Sequence, residues 1–211
     1  QLDEMLEQPS GLLRVSLPVD FATIYLAPRV PEFTRRYPGI SLEFDLTPRR
    51  VDLVTEPFDV AVRMGEQPAS TLISRKLAAL SRYLYAAPNY LDAAGEPETP
   101  DELQTHECIL FRSSQSTWTL QCEKNTVDAR VSGRVRVNNV GMMHRLAVQG
   151  MGIAALAQGV ISEDVAAGRL RRVLPDWEAT PVSVYAITET RLLPAKTQRF
   201  IAFLQECLKT V

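Results

Sequence analysis

Three neighbouring stretches decide the fold: GLLRVSLPVDFATIYLAPRVPEF (Gly11–Phe33), RRYPGISLEFDL (Arg35–Leu46) and FDVAVRMG (Phe58–Gly65). The first begins with Leu13, Val15 and Leu17 on one side of an alternating run, which predicts a strand with one buried face. Pro18-Val19-Asp20-Phe21 then turns into a helix that aligns Leu26, Val30, Phe33 and Tyr37 and stops at Pro38-Gly39, where a fixed φ and a free one end helices. Pro28 inside it removes one hydrogen bond and predicts a bend. Ile40, Leu42, Phe44 and Leu46 alternate with Ser41, Glu43 and Asp45 as a second strand. A short helix over Arg50–Glu56 and a third strand over Phe58–Met64 follow. Strand, helix, strand, helix, strand implies a parallel sheet with right-handed crossovers.

Outward from this block the same grammar recurs. Strands are expected at Arg82–Ala87, Cys108–Phe111, Trp118–Leu120, Val135–Val137, Ile153–Leu156 and Val182–Ile187. Helices are expected at Asp101–Thr105, at Val140–Gln149 with Val140, Met143 and Ala147 aligned, and from Pro194, where Thr197, Phe200, Ile201, Leu204 and Leu208 form an apolar stripe. Residues 1–8 read as the last turns of a helix closed by Pro9-Ser10-Gly11. The expected fold class is α/β, in two lobes.

Composition narrows the function. The 211 residues are 45% hydrophobic and 23% charged, enough for a sizeable core. A net charge of −2 and a pI near 5.8 lack the basic excess of a domain that grips phosphates. No run approaches the roughly 18 apolar residues of a membrane span. Cys108, Cys122 and Cys207 are odd in number and widely spaced, which fits neither a disulfide framework nor a zinc site and suits a reducing cytoplasm.

The stretches already quoted, followed by RYLYAAPNYL (Arg82–Leu91), VNNVGMMHRLAVQGMGIAAL (Val137–Leu156) and PAKTQRFIAFL (Pro194–Leu204), resemble in their order the LysR-type transcriptional regulators. Nearly the whole chain resembles the effector-binding half of that family, without its N-terminal winged helix-turn-helix. The resemblance implies a type II periplasmic-binding-protein-like fold, two α/β lobes joined by crossover strands near Arg82–Ala86 and Ser183–Ile187. Residues 1–10 would end a linker helix, 11–82 and 187–211 would form the first lobe, and 83–186 the second, with a small-molecule effector in the cleft between them. It also implies a homodimer, a tetramer in the full-length protein, contact with DNA only through the missing N-terminal domain, a cytoplasmic location and no membrane. A solute-binding protein of a transport system is the alternative that shares the fold.

In open parallel sheets ligands gather beyond the carboxyl ends of the strands. The candidate effector-binding residues are therefore Pro18, Val19, Asp20 and Phe21, Arg63, Met64 and Gly65, and Asn138 and Asn139. Asp20 and Asn139 also suit helix N-caps, and Arg63 suits pairing with an acid. Where this sequence has Asp20, relatives often carry Ser or Thr. An acid at the positive end of a helix disfavours a carboxylate effector and favours a cationic, phenolic or neutral one.

Catalysis and cofactors find little support. Gly150-x-Gly152-x-x-Ala155 follows a helix and precedes a strand, the reverse of a dinucleotide fingerprint, so it reads as a helix cap and a close-packing site. Cys108 lies in the apolar run Cys-Ile-Leu-Phe and reads as core instead of a peroxide sensor. His106 and His144 lack ligand spacing and read as lying on polar faces. Glu163-Asp164 and Asp101-Glu102, expected near helix starts, are adjacent and cannot face one another as an acid/base pair. No nucleophile elbow or phosphate loop occurs, and neither an enzyme, a metal nor a cofactor is expected.

Overall fold

The computed structural model describes residues 8–112 and 116–209. Most of the stretch expected to end a linker helix, residues 1–7, lies outside the described residues. In chain order the elements are β1 (Gly11–Ser16), α1 (Val19–Phe21), α2 (Val30–Arg36), β2 (Ile40–Asp45), β3 (Val60–Met64), β4 (Ile73–Ala86), α3 (Pro88–Ala94), β5 (Leu110–Phe111), β6 (Thr117–Cys122) and β7 (Asn125–Arg130). There follow β8 (Arg136–Val137), α4 (Val140–Val148), β9 (Ala154–Ala157), α5 (Gln158–Ala166), β10 (Arg171–Val173), β11 (Glu178–Thr188) and α6 (Ala195–Lys209). The chain divides into two compact units. One holds the described residues up to Ala79 and those from Ser183 onward, the other Leu80–Val182.

In the first unit β1 lies parallel to β2 and β3, with Leu13 opposite Leu42 and Val15 opposite both Phe44 and Val60. Antiparallel β11 closes β3, with Tyr185 opposite Arg63. The alternation read from the sequence is the buried face: Leu13, Val15 and Leu17 are inaccessible to solvent. Against it, α6 buries the expected stripe together with Phe203 and Cys207. Phe33 of α2 meets Phe200 edge-on at 5.6 Å and Phe203 at 5.1 Å, the aromatic geometry favoured by ring quadrupoles. Lys196 ties the start of α6 to Asp59 at 3.2 Å, and Asp59 also accepts the Arg14 amide at 2.8 Å.

The first helical run is not uniform. After α1 it widens into a π turn over Ala22–Leu26 and tightens into a 3-10 turn over Ala27–Arg29 before α2. These turns place Pro28, which cannot donate to the ladder, at a register change. The helix expected over Arg50–Glu56 is absent. A single turn stands there, the Glu56 amide donating to the Asp52 carbonyl at 2.8 Å. The Asp52 carboxylate accepts from the Val54 amide and the Thr55 hydroxyl, a local pattern that competes with helix.

In the second unit β4 pairs antiparallel with β9 and β10, and β5 pairs parallel with β8. The β6–β7 hairpin turns on Glu123 and Lys124, with Cys122 opposite Asn125. The two faces of β4 feed two cores. Leu84 and Ala86 join Leu110, Leu120 and Val173, while Tyr83 and Tyr85 join Met143, Ala147 and Leu156 under α4 and α5. The Gly150-x-Gly152 pair performs the two packing jobs expected of it. Gly150, at φ +79°, closes α4, its amide bonding to the Ala147 carbonyl and that of Met151 to the Leu146 carbonyl. A Cβ on Gly152 would stand 2.3 Å from the Glu107 carbonyl oxygen.

Several elements escaped the sequence. The strand before Pro88 begins at Ile73, not Arg82, while β7 and β10 were not expected at all and α5 begins earlier than the acids suggested. Glu163 and Asp164 lie late in α5 instead of near a helix start.

Candidate functional site

Pro18–Phe21 and Arg63–Gly65 are brought together in the first unit. Ser16, fully buried at the end of β1, links them: Arg63 donates from Nη2 to Ser16 Oγ at 3.0 Å, and from Nη1 to the Val62 and Ser16 carbonyls at 2.7 and 3.4 Å. The acid pairing expected for Arg63 is absent among the described residues, and backbone and hydroxyl acceptors take its place. Burial holds the guanidinium below its ordinary pKa, with repulsion from Arg50 adding to that and Asp45 opposing it. The Gly65 amide donates to the Ser183 carbonyl at 2.8 Å. Val19 is exposed and Pro18, Asp20, Met64 and Gly65 are half-buried, whereas Phe21 is buried and packs on Tyr25 at 5.5 Å. Phe21 therefore offers a ligand only its backbone.

Asp20 is not the cap it was expected to be. The N-cap position is Pro18, and Asp20 stands inside the first turn of α1. Asn139 does cap α4, its Oδ1 accepting the Met142 amide at 2.7 Å. Asn138 is exposed beside it. Both asparagines belong to the second unit.

The second unit holds a feature the sequence reading missed, a cavity of about 160 Å³ lined by Arg82, Phe111, Thr117, Trp118, Met143 and Thr180, among others. Arg82 leaves β4 on the same face as Leu84, is half-buried, and spends only Nε, which donates to the Thr180 carbonyl at 2.8 Å. Burial alone lowers its pKa, with no neighbouring charge contributing. The only hint in the sequence was a charged residue opening the apolar run Tyr-Leu-Tyr-Ala-Ala. Its partner, Thr180, lies 98 residues away.

The remaining candidates are structural. Burial pushes the Cys108 thiol up to about 12, which keeps it protonated and unreactive. His144 is not on an open polar face: its side chain is 13% exposed and shares a hydrogen bond of 2.5 Å with Asp164, which also pairs with Arg169. His106 shares its Nδ1 with the Tyr90 hydroxyl at 2.8 Å. Among the described residues no cluster of His, Cys, Asp and Glu suits a metal ion, and no helix is long and apolar enough to cross a membrane.

The family model described as the LysR substrate binding domain matches residues 6–209. The chain belongs to this family. It is 30% identical to the HTH-type transcriptional regulator DmlR of Escherichia coli, over 98% of this chain and 68% of that protein. It is also 30% identical to an uncharacterized HTH-type transcriptional regulator of Haemophilus influenzae, over 88% and 66% respectively. This LysR-type domain thus spans about two thirds of the length of those relatives. Among solved structures it resembles the regulatory domain of CrgA, a LysR-type regulator of Neisseria meningitidis. The TM-score is 0.80 and the identity 26%, covering 94% of this chain and 98% of that one. The regulatory domain of the C227S variant of AphB from Vibrio vulnificus matches at TM-score 0.75 and 30% identity, over 93% and 100%. The fold is the type II periplasmic-binding-protein-like one, and the chain is an effector-binding regulatory domain of the LysR family.

Proposed function

We propose that this domain senses a small-molecule effector and passes its state to a DNA-binding segment of the full-length regulator, changing transcription. The observation that carries the reading is the match of the family model to residues 6–209. The kinship with HTH-type regulators favours this over solute transport. In this reading the protein acts in the cytoplasm as a homodimer or tetramer, catalyses nothing, and touches DNA only outside the present chain. We assign residues 11–82 and 187–211 to one regulatory lobe and 83–186 to the other. At the strand ends of the first unit, Pro18, Val19, Asp20, Arg63, Met64, Gly65 and the Phe21 backbone present groups to the effector. In the second unit Asn138 and Asn139 do so.

The test is a screen of small metabolites against the full-length protein, read by thermal stability and by a promoter reporter. A hit is then titrated into alanine variants of Asp20, Arg63, Asn138 and Asn139. We expect at least one variant to weaken binding about tenfold, a loss of about 1.4 kcal/mol, while keeping the fold. No metabolite altering either readout would overturn the sensing role. Unchanged affinity in all four variants would move the site elsewhere.

A further inference from the structure

We propose that the cavity of the second unit is a binding site for a compact monocarboxylate with an apolar body about the size of one ring. The proposal rests on the effector-sensing reading and adds to it a second binding site, whose lining includes none of the strand-end residues assigned above. Three observations carry it. Arg82 donates one hydrogen bond, from Nε to the Thr180 carbonyl. Its four Nη hydrogens have no acceptor, and its guanidinium no carboxylate partner, among the described residues. Even a half-buried cation loses part of its hydration, so proteins ordinarily pair it. Arg82 is not paired, and it faces an empty volume.

The shape of that volume selects the ligand. About 160 Å³ matches the roughly 150 Å³ of a protein cavity known to admit benzene. Phe111, Trp118 and Met143 supply an apolar wall, and Thr117 a hydroxyl within it. A guanidinium fork receives the two oxygens of a carboxylate in parallel. Among the described residues Arg82 is the only cation lining the cavity, so a phosphate dianion would keep an uncompensated charge, and a nucleotide exceeds the volume.

The experiment uses benzoate and its neutral isostere benzamide. Trp118 and Trp177 are the two tryptophans, so a Trp177→Phe background leaves Trp118 in the cavity wall as sole fluorophore. Benzoate is expected to change Trp118 emission saturably and to bind at least about tenfold tighter than benzamide. Arg82→Met should erase that preference, and Arg82→Lys, which keeps the charge and loses the fork, should retain part of it. Thr117→Phe, which fills the cavity without touching Arg82, should abolish both responses with an unchanged circular dichroism spectrum. The proposal is overturned by a Trp118 signal that does not saturate, by equal affinity for acid and amide, or by a preference that survives Arg82→Met. Any of these outcomes sinks the cavity while leaving effector sensing, which the full-length reporter reads, intact.

Discussion

Each unit carries a half-buried arginine on a sheet strand that makes no salt bridge among the described residues, Arg63 in the first and Arg82 in the second. Arg63 is closed on its own protein, donating three hydrogen bonds to Ser16 and Val62. Arg82 donates one, to Thr180, and lines a cavity. Residue type, burial and depressed pKa are shared, so none of them distinguishes a structural arginine from a recognition arginine. The count of satisfied donors does. A half-buried guanidinium that spends several donors on its own protein holds strands together, and one that spends a single donor keeps the others for something that arrives later.

The sharpest way to break this comparison is to replace both arginines by methionine, which keeps an unbranched apolar stem and removes donors. Arg63→Met strands Ser16 Oγ and the Ser16 and Val62 carbonyls, and we expect a loss of about 2–3 kcal/mol in urea unfolding. Arg82→Met strands only the Thr180 carbonyl while relieving an unpaired buried charge, so it should cost less than about 1 kcal/mol. The reverse order would show that Arg82 is the structural member of the pair.

A second prediction extends the contrast to charge that is closed within the second unit. Burial raises the Asp164 pKa, but the hydrogen bonds from Arg169 and His144 outweigh it and hold the carboxyl below its ordinary value. A carboxylate with a depressed folded pKa contributes stability above its unfolded value, near pH 3.9, and loses it as pH falls through the folded value. The wild-type unfolding midpoint should therefore drop as pH falls below about 4. Asp164→Asn should lower the stability at pH 7 by about 1–2 kcal/mol and flatten that acid limb. An acid limb of equal steepness in the variant would assign it to other carboxylates, with Glu56, held near 2 by Arg49, the first to examine.

How much of this was legible in sequence follows from the range of the interactions. Alternation in Leu13–Leu17 and the stripe of α6 are local periodicities, and both are buried as read. The order of motifs from Gly11 to Leu204 pointed to the family for the same reason, since each motif is a local turn, strand or helix. β7 is polar along most of its length and is a strand because β6 pairs with it, so its own residues carry no signal. The Ile73–Ser81 part of β4 includes Arg75 and Lys76 and lacks strict alternation. Cap chemistry was read correctly at Asn139 and wrongly at Asp20, because Pro18 moved the helix start two residues earlier. Asp20 and Arg82 argue for effectors of opposite charge. Only Asp20 could be weighed from sequence, because Arg82 becomes a recognition group through Thr180 and a cavity assembled from distant segments.

The smallest expected effect belongs to Asp20, and it asks whether the first unit spends that charge on its own helix. Since Asp20 is inside the first turn and Pro18 holds the cap position, Asp20→Asn removes charge without removing a cap. A negative charge at the start of a helical run gains about 0.3–1 kcal/mol from the unpaired amides there. Asp20 is half-buried, so solvent and salt reach it, and the loss in urea unfolding should lie at the lower end of that range. It should shrink further in 1 M salt, where the screening length falls to about 3 Å. A loss that persists unchanged in salt would instead identify a specific short-range hydrogen bond as the work of the Asp20 carboxylate. A gain in stability would mean that the charge is strained in the unliganded domain, as expected of a group reserved for a cationic or hydrogen-bond-donating effector.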